Sequence, residues 1–291
     1  MEEIKTIKQI FRYHGLDQPT TVHRINTGFN RAVFEIDDKY VLKICLNPEK
    51  EDGVKREIDF YLNNNYSFTP KLIGFNTTKN ILPYIYTIES KQHGQNLFEV
   101  WKDLTKEEKE QVLRELLSII KTLHKRDNPN PEELTNLFNN YLNQAIRSNV
   151  LKPDQIDQMR NLSQRIIPYF QNTQFGFIHG DIHFNNIIYT KDGLKLIDFE
   201  SSRIGPLDKE FDTLFRMARD PDSFSKGQNK EDYEGIIDFF IENYPEVCGE
   251  ENFQNHLLIY DCINSLRWIR LYPDYPRYND ILFEQSKKLL K

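Results

Sequence analysis

Residues 177–200, FIHGDIHFNNIIYTKDGLKLIDFE, constrain the fold more than any other stretch of the chain. Short apolar runs within it predict strands at Phe177–Ile178, Ile187–Tyr189 and Leu194–Ile197. Asp181, Asn186 and Asp198 stand where these strands end, which we expect to bring them around one tight loop. Polar groups between apolar strands are costly to bury unless they have partners or a task. This stretch is therefore the predicted active centre.

The composition is that of an ordered globular chain. Its 291 residues are 38% hydrophobic, 28% charged and 13% aromatic, which argues against disorder and leaves room for one large domain or two lobes. A net charge of −6 lacks the basic footprint of general nucleic-acid binding, so we expect no nucleic-acid partner. The acidic balance is compatible with a cationic substrate, although a global charge says little about one pocket.

The cysteines and the apolar runs bear on the compartment. Cys45, Cys248 and Cys262 are far apart and odd in number, so neither a disulfide framework nor a zinc site is predicted. The start, MEEIKTIKQI, lacks the apolar core of a signal peptide, and no apolar run approaches the roughly 18 residues of a membrane helix. We therefore expect a cytoplasmic protein without a membrane partner.

Strand signals dominate the first third of the chain, after a predicted helix over residues 1–15. The pattern predicts strands over 20–25, 31–36, 40–44, 71–75 and 81–88, and a helix over 54–62. The polar segment Ser90–Asn96 is the predicted connection to the second part of the chain. The expected division is a first lobe of residues 1–90 and a second of residues 91–291.

Helix signals prevail beyond residue 96. Thr105 and Glu108 have the spacing of a capping box, and Asn130 with Pro131 marks a second helix start. A third helix is predicted over 154–170, and further helices near 211–218, 231–243, 250–272 and 280–290. A β-rich first part and a helical second part together predict an α+β protein.

Lys43 and Glu57 form a second candidate group far from the active stretch. Lys43 lies inside an apolar strand, and Glu57 follows in the next predicted helix. A strand lysine paired with a glutamate of the following helix orients the phosphates of ATP in kinases. Taken alone, Lys43 has a simpler alternative, an outward-facing lysine on a half-exposed strand.

The spacing of the active stretch resembles the aminoglycoside phosphotransferase and choline kinase family. The similarity rests on His179-Gly180-Asp181, on Asn186 five residues later and on Ile197-Asp198 twelve residues after the asparagine. It implies a bilobal protein-kinase-like fold with a small antiparallel β-rich N-terminal lobe and a larger helical C-terminal lobe. It also implies a small-molecule kinase, whose residues 1–90 bind the nucleotide and whose residues 91–291 carry the catalytic loop and the acceptor site.

The chemistry of phosphoryl transfer explains the residue types. The reaction needs positioning and charge neutralisation rather than a protein nucleophile. Asp181 is the candidate to accept or orient the proton of the substrate hydroxyl. Asn186 and Asp198 offer oxygen ligands for Mg²⁺. Lys43, held by Glu57, would contact the α- and β-phosphates of ATP.

Two loop segments are the remaining nucleotide candidates. A glycine-containing turn would cover the triphosphate with backbone N–H groups and polar side chains. Its candidate members are Asn26, Thr27, Gly28 and Asn30. By resemblance, the backbone of a second segment would meet the base, which leaves the choice between ATP and GTP open. Its members are Glu89, Ser90, Lys91 and Gln92.

Supporting residues and their alternatives complete the predicted site. By resemblance, His179 would brace the catalytic loop with hydrogen bonds, and Asp212 would brace it from below, with a helix N-cap as the alternative for Asp212. His179 and His183 as a metal pair is disfavoured, because they flank a loop and no third ligand stands out. Glu200 is either a carboxylate near the metal or a solvated side chain.

The departures from protein kinases point to a small acceptor. Gly180 stands where those enzymes carry Arg, Glu200 ends a DFE where they carry DFG, and no APE-like segment follows. We therefore predict an ATP-dependent O-phosphotransferase acting on a small hydroxyl compound. Aminoglycosides, with antibiotic resistance as the consequence, are one acceptor class; choline, homoserine, amino sugars and macrolides are others. The rival is a non-catalytic nucleotide-binding scaffold, which is expected to have lost part of the motif that this chain retains.

The acceptor itself is open at this stage, as are the phosphorylated hydroxyl and the oligomeric state. Acidic residues of the C-terminal helices are candidates for attracting a cationic acceptor: Asp261, Asp274 and Glu284. An aromatic cage for a quaternary ammonium group is a further possibility, formed by Tyr260, Trp268 and Tyr272. Core packing is the ordinary alternative for such aromatic spacing.

Overall fold

The structure is a computed structural model that describes residues 2–25, 31–128, 130–249, 251–274 and 277–291. The strands are β1 Val22–Ile25, β2 Arg31–Ile36, β3 Tyr40–Cys45, β4 Leu72–Asn76, β5 Tyr86–Ser90, β6 Gln95–Asn96, β7 Arg126–Asp127, β8 Phe175–Ile178, β9 Ile187–Thr190, β10 Gly193–Leu196 and β11 Arg203–Pro206. The helices are α1 Glu2–Tyr13, α2 Glu51–Asn63, α3 Leu97–Val100, α4 Lys106–Leu123, α5 Pro131–Arg147, α6 Pro153–Tyr169, α7 Glu210–Arg219, α8 Ile236–Asn243, α9 Pro245–Cys248, α10 Phe253–Leu271 and α11 Arg277–Leu289. This mixture of antiparallel sheet and helices confirms the predicted α+β class.

Two compact units make up the chain. The first comprises Met1–Leu116 with Asp181–Arg203, and the second comprises Leu117–Gly180 with Ile204–Lys291. The first unit therefore holds Lys43, Glu57 and the segment from Asp181 to Asp198 together. The division into two lobes at residue 90, which the sequence suggested, stays a prediction.

A five-stranded antiparallel sheet is the frame of the first unit. Its order is β1-β2-β3-β5-β4, and its buried face packs on the apolar stripe of α1. The hairpin between β2 and β3 turns at Asp37 and Asp38, whose φ angles of 52° and 54° suit the tight right-twisted hairpin turn. Leu42 and Ile44 face α1, so the intervening Lys43 lies on the opposite face of β3.

The helix α2 and the segment after β10 pack together within this unit. The rings of Phe60 and Phe199 stack with centroids 3.8 Å apart. Arg56 donates from Nη2 to the carbonyl of Glu200 at 3.0 Å. A side chain at Gly53 would come within 3.3 Å of the same carbonyl, which favours glycine at this approach. These contacts fix α2, and Glu57 with it, against the segment that follows Asp198.

The strand β5 begins later than the sequence suggested. The prediction was 81–88, whereas the strand runs from Tyr86 to Ser90. Pro83 lacks an N–H group for a ladder hydrogen bond, and residues 80–84 form bends instead. The sequence pattern missed this shift because the apolar residues Ile81 and Leu82 resemble the start of a strand. The later strand places Glu89 inside the sheet.

The predicted strands of the active stretch are present. β9 and β10 form a hairpin, and β6 pairs with β9 on its other side. A side chain at Gly94 would collide with the carbonyl oxygen of Tyr189, so the chain before β6 needs glycine at this point. Asn96 donates from its side chain to the carbonyl of Asn185 at 2.9 Å. The loop between β8 and β9 is thus attached to the first unit.

The second unit is mostly helical. Contacts between α5, α6, α10 and α11 form its bundle, and β8 pairs with β7 and β11. The helix predicted over 231–243 starts only at Ile236, because Gly235 adopts a φ of 81° that an α-helix cannot include. None of the helices in the described ranges is long and apolar enough to cross a membrane.

Candidate active site

Lys43 and Glu57 form an ion pair inside the first unit. The Nζ of Lys43 in β3 is 2.9 Å from Oε1 of Glu57 in α2. The Glu57 side chain is fully buried, and that of Lys43 is 12% exposed. Burial disfavours both charges, yet the pairing holds the pKa of Lys43 above its ordinary value and that of Glu57 at about 2. Lys43 is therefore held charged in a fixed position.

Arg31 joins this pair, and sequence reasoning missed it. Its Nη1 is 2.7 Å from Oε2 of Glu57, and its Nη2 is 2.7 Å from Oε2 of Glu200. The same guanidinium lies 3.9 Å from Oδ1 of Asp198. Against the effect of burial, these carboxylates hold the pKa of Arg31 above its ordinary value. The one signal in the sequence was its place at the start of a strand directly after the glycine-containing turn.

The side chain of Glu89 is a further contact that the sequence did not predict, because the prediction concerned only its backbone. Its Oε2 is 3.0 Å from Nζ of Lys43, and Thr87 donates from Oγ1 to its Oε1 at 3.0 Å. Burial raises the pKa of Glu89 to about 7, although Lys43 acts in the opposite direction. Lys43 is thus shared by two buried carboxylates.

Local hydrogen bonds order the loop that carries Asp181 and Asn186. The Nδ2 of Asn186 donates to the backbone carbonyl of Asp181 at 3.0 Å. The N–H of Ile197 donates to the carbonyl of Asn186 at 3.0 Å, which ties the loop to the end of β10. The side chain of Asp181 is 39% exposed, so it is accessible to a substrate. The structure therefore links the backbone segments of the three residues that the spacing singled out.

Asp198 and Asn186 present oxygen atoms that fit a magnesium ion. Oδ1 of Asp198 is buried and accepts no hydrogen bond from the part of the chain that the structure describes. Because the amide nitrogen of Asn186 is fixed on Asp181, its Oδ1 is left as an acceptor. Asp198 also has a φ of 66°, a conformation that is uncommon outside glycine. Carboxylate and amide oxygens are the ligands that Mg²⁺ prefers.

A histidine metal centre receives no support. Within the described ranges, no group of three or more His, Cys, Asp and Glu side chains is arranged to hold a metal ion. His183 lies near the loop instead, with Nε2 3.2 Å from Nδ2 of Asn186 and 3.9 Å from Oδ2 of Asp181. The candidate metal donors of this site are the carboxylate of Asp198 and the amide oxygen of Asn186.

His179 lies in the second unit, where its backbone is braced by Glu210. The N–H groups of His179 and Gly180 donate to the two carboxylate oxygens of Glu210 at 2.7 and 2.8 Å. Glu210 is 1% exposed, and Nε2 of His124 lies 3.5 Å from it. Sequence reasoning missed Glu210; its only signal was an acidic residue at the first position of α7.

Asp212 is buried in the second unit among polar side chains of α7 and α10. It contacts Nζ of Lys209 at 2.5 Å, Nδ2 of Asn264 at 2.8 Å and Nε of Arg216 at 3.4 Å. Although burial acts in the opposite direction, Lys209 and Arg216 hold its pKa well below the ordinary value. The observed contacts hold α7 to α10, and a role of Asp212 beneath the catalytic loop stays a prediction.

The segment predicted to meet the base is fixed within the first unit. The N–H groups of Ser90 and Lys91 donate to the carbonyls of Lys71 and Lys39, both at 2.8 Å. Gln92 donates from Nε2 to the carbonyl of Ser90 at 3.2 Å. The turn residues predicted to cover the phosphates lie outside the described residues: Asn26, Thr27, Gly28 and Asn30. Nucleotide contacts of both segments stay predictions.

Comparison with known families decides the classification. Residues 21–245 match the model of the phosphotransferase enzyme family APH, which is well over half of the chain. The chain belongs to this phosphotransferase enzyme family. The matched residues include Lys43, Glu57 and the whole active stretch, so the resemblance to aminoglycoside phosphotransferases is confirmed. In the comparison with curated proteins, nothing matches the sequence.

Solved structures show the same fold at low sequence identity. The streptomycin–ATP ternary complex of APH(2″)-IIa is 16% identical, with a TM-score of 0.68 over 97% of this chain and 95% of that one. ADP-bound aminoglycoside phosphotransferase APH(2″)-Ib is 17% identical, with a TM-score of 0.67 over 99% and 96%. The GDP complex of aminoglycoside 2′-phosphotransferase-IIIa is 12% identical, with a TM-score of 0.69 over 99% of both chains. The predicted fold of this phosphotransferase is thereby confirmed.

Proposed function

We propose that this phosphotransferase moves the γ-phosphate of ATP to a hydroxyl group of a small molecule. One observation carries the proposal: Lys43 is held charged by the buried Glu57 in the same compact unit as Oδ1 of Asp198, a buried oxygen that accepts no hydrogen bond from the described residues. A cation for phosphate and an oxygen for a metal ion are the parts that phosphoryl transfer requires. That similar structures were solved with ATP, ADP and GDP supports a nucleotide as the phosphate donor.

The side chains divide the chemistry among them. Lys43, positioned by Glu57, binds the α- and β-phosphates. Asp181 accepts or orients the proton of the acceptor hydroxyl as its oxygen attacks the γ-phosphorus. Asn186 and Asp198 would hold Mg²⁺, which neutralises phosphate charge when it is bound.

The loops complete the proposed nucleotide site. The turn containing Gly28 covers the triphosphate, and the backbone from Glu89 to Gln92 meets the base. Residues 1–90 act as the nucleotide-binding lobe and residues 91–291 as the lobe of the acceptor. Glu210 holds the backbone at His179 in place, and the His179 side chain is proposed to brace the catalytic loop.

A polar, cationic acceptor of the aminoglycoside type is the proposed substrate class. Similar structures were solved with streptomycin and with gentamicin, which supports this class. Asp274 and Glu284 are exposed on the second unit and can attract ammonium groups. The rival choline cage has less support, because Tyr260 is fully buried and donates its hydroxyl to Asp208. Resistance of a host to the phosphorylated compound is the biological consequence to test.

The decisive experiment measures ATP consumption with a panel of acceptors. Aminoglycosides, macrolides, choline, homoserine and amino sugars are each offered to the wild type, to Asp181→Ala and to Glu110→Gln. Glu110 is an exposed residue of α4 and serves as the matched carboxylate control. We expect acceptor-dependent turnover in the wild type and in Glu110→Gln, and a loss of about 10²- to 10⁴-fold in Asp181→Ala.

Nucleotide binding is measured on the same variants. Asp181→Ala is expected to bind ATP like the wild type, since Asp181 acts on the acceptor. No ATP consumption with any acceptor would favour the non-catalytic scaffold, and full activity of Asp181→Ala would refute the role given to Asp181.

A further inference from the structure

Glu89 binds the same ammonium group that the proposed function assigns to the nucleotide. Its Oε2 and Oε1 of Glu57 lie 3.0 and 2.9 Å from Nζ of Lys43. The register explains this geometry, because Lys43 pairs with Thr87 across β3 and β5 and Glu89 stands two residues further on the same face. The Lys–Glu pair of kinases has one such carboxylate, whereas Lys43 contacts two.

The two carboxylates differ in what else neutralises them. Glu57 is also held by Arg31 at 2.7 Å, so it keeps a cation if Lys43 turns to another anion. Glu89 has Lys43 as its one cationic contact within the described residues, and its other oxygen accepts only the neutral hydroxyl of Thr87. An anion that draws the charge of Lys43 away therefore leaves Glu89 buried without a counter-charge.

The groups around Glu89 do not provide a replacement. From α2, Glu57 adds negative charge, and the buried hydroxyl of Tyr61 has no hydrogen-bond partner among the described residues. From β2, Arg31 is already engaged by Glu57 and Glu200. A buried carboxylate without a counter-charge is relieved most simply by protonation.

We propose that Glu89 is a positioning residue that competes with the nucleotide phosphates for Lys43 and takes up a proton from solvent when they bind. The inference rests on the proposed function, because it requires that phosphates bind Lys43. The step is a protonation of the Glu89 carboxylate, with no other bond formed or broken. Nucleotide affinity is thereby coupled to pH through a residue that touches neither phosphate nor metal.

The sign of the coupling follows from the free protein. Burial raises the pKa of Glu89 to about 7, so the carboxylate is mainly ionised at pH 8 before the nucleotide binds. Binding then adds nearly one proton. A reaction that takes up a proton weakens as pH rises, by up to about tenfold in affinity per pH unit above this pKa.

The test is isothermal titration calorimetry with ADP and Mg²⁺ at pH 8. ADP carries the α- and β-phosphates and is not turned over, and its terminal phosphate is ionised at this pH, since phosphate pKa values lie near 6. Repeating the titration in buffers of different ionisation enthalpy gives the number of protons taken up. Wild type, Glu89→Gln and the exposed control Glu110→Gln are compared.

We expect an uptake approaching one proton in the wild type and in Glu110→Gln, and none in Glu89→Gln. The dissociation constant of the wild type is expected to rise up to about tenfold from pH 8 to pH 9, and that of Glu89→Gln to stay flat. A purely structural role of Glu89 would change stability without changing the proton count.

The outcomes that overturn the inference are distinct from those that overturn the proposed function. ADP binding without proton uptake in the wild type refutes the competition by itself, whether or not Glu89→Gln folds. Equal proton uptake in the wild type and Glu89→Gln refutes the assignment to Glu89. If the folded wild type and Glu110→Gln bind neither ADP nor ATP, the nucleotide function is wrong, and the inference that rests on it is wrong too.

Discussion

Each compact unit contains a buried ion network, and the two networks differ in balance. In the first unit, the cations Lys43 and Arg31 contact more acidic groups than they can neutralise: Glu57, Glu89, Asp198 and Glu200. With all six side chains ionised, this group carries a charge of −2. In the second unit, the buried carboxylate of Asp212 is enclosed by Lys209 and Arg216, so the cations exceed the acid.

This difference in net charge supports a ligand-binding role for the first network. Excess negative charge is costly in a buried place unless a cation joins it. The negative charge of Asp212, by contrast, is already offset by two cations beside it. The first network therefore has the composition of a binding site, and the second has that of a structural link between α7 and α10.

Replacing Asp198 is the sharpest test of the first network. Asp198→Ala removes the oxygen proposed for Mg²⁺, and we expect phosphotransfer to fall by about 10³-fold, which corresponds to several kcal/mol of lost metal assistance. The dependence of ATP binding on Mg²⁺ is expected to disappear in titrations. Because the acid is in excess, the thermal midpoint should stay or rise. Unchanged affinity for Mg·ATP would contradict the metal role of Asp198.

Replacing Asp212 tests the second network, where we expect the stability to change and the nucleotide affinity to stay the same. Asp212→Ala leaves Lys209 buried beside Arg216 without its carboxylate, and breaking such a pair costs about 3–5 kcal/mol of unfolding free energy. Denaturant unfolding measures this loss. Among molecules that remain folded, nucleotide affinity is expected to match the wild type. A stable variant that has lost catalysis would instead favour the loop-bracing role of Asp212.

Asp261 gives a smaller, pH-dependent test of the second network. Burial, with repulsion from Asp212, raises its pKa to about 6 despite Arg219 at 3.9 Å. A carboxyl group whose pKa is raised on folding stabilises the protein at low pH, and this contribution is lost as pH rises through about 6. Asp261→Asn should therefore stabilise the fold at pH 8 by about 3 kcal/mol.

The same substitution should have little effect at pH 4, where Asp261 is already neutral in the folded protein. Thermal denaturation from pH 4 to 8 measures the difference. An equal effect at both ends of this range would show that Asp261 does not titrate near 6 and that its burial carries no charge penalty.

Local spacing made the strand–loop–strand structure of the candidate catalytic segment predictable. The strand–loop–strand pattern around Asp181, Asn186 and Asp198 is a short-range feature, since period-two apolar runs specify strands and polar residues mark their ends. The pair of Lys43 and Glu57 was predictable for a similar reason, because a strand and the helix that follows it are neighbours in most folds. The capping box of Thr105 and Glu108 is likewise observed, with Glu108 accepting from the N–H of Thr105 at 2.8 Å.

The sequence alone thus determined the fold class, the family and the strand–loop–strand segment that carries the candidate catalytic residues. Only the tertiary structure showed that Arg31 contacts Glu57 and that Glu89 contacts Lys43. It also showed that Glu210 accepts a hydrogen bond from the backbone of His179. Their partners are set by strand register and by segments distant in the chain, and a lone charged residue gives no signal of either. The register of β3 with β5 brings Glu89 to Lys43. This contact gives the lysine that is predicted to bind phosphate a second carboxylate partner.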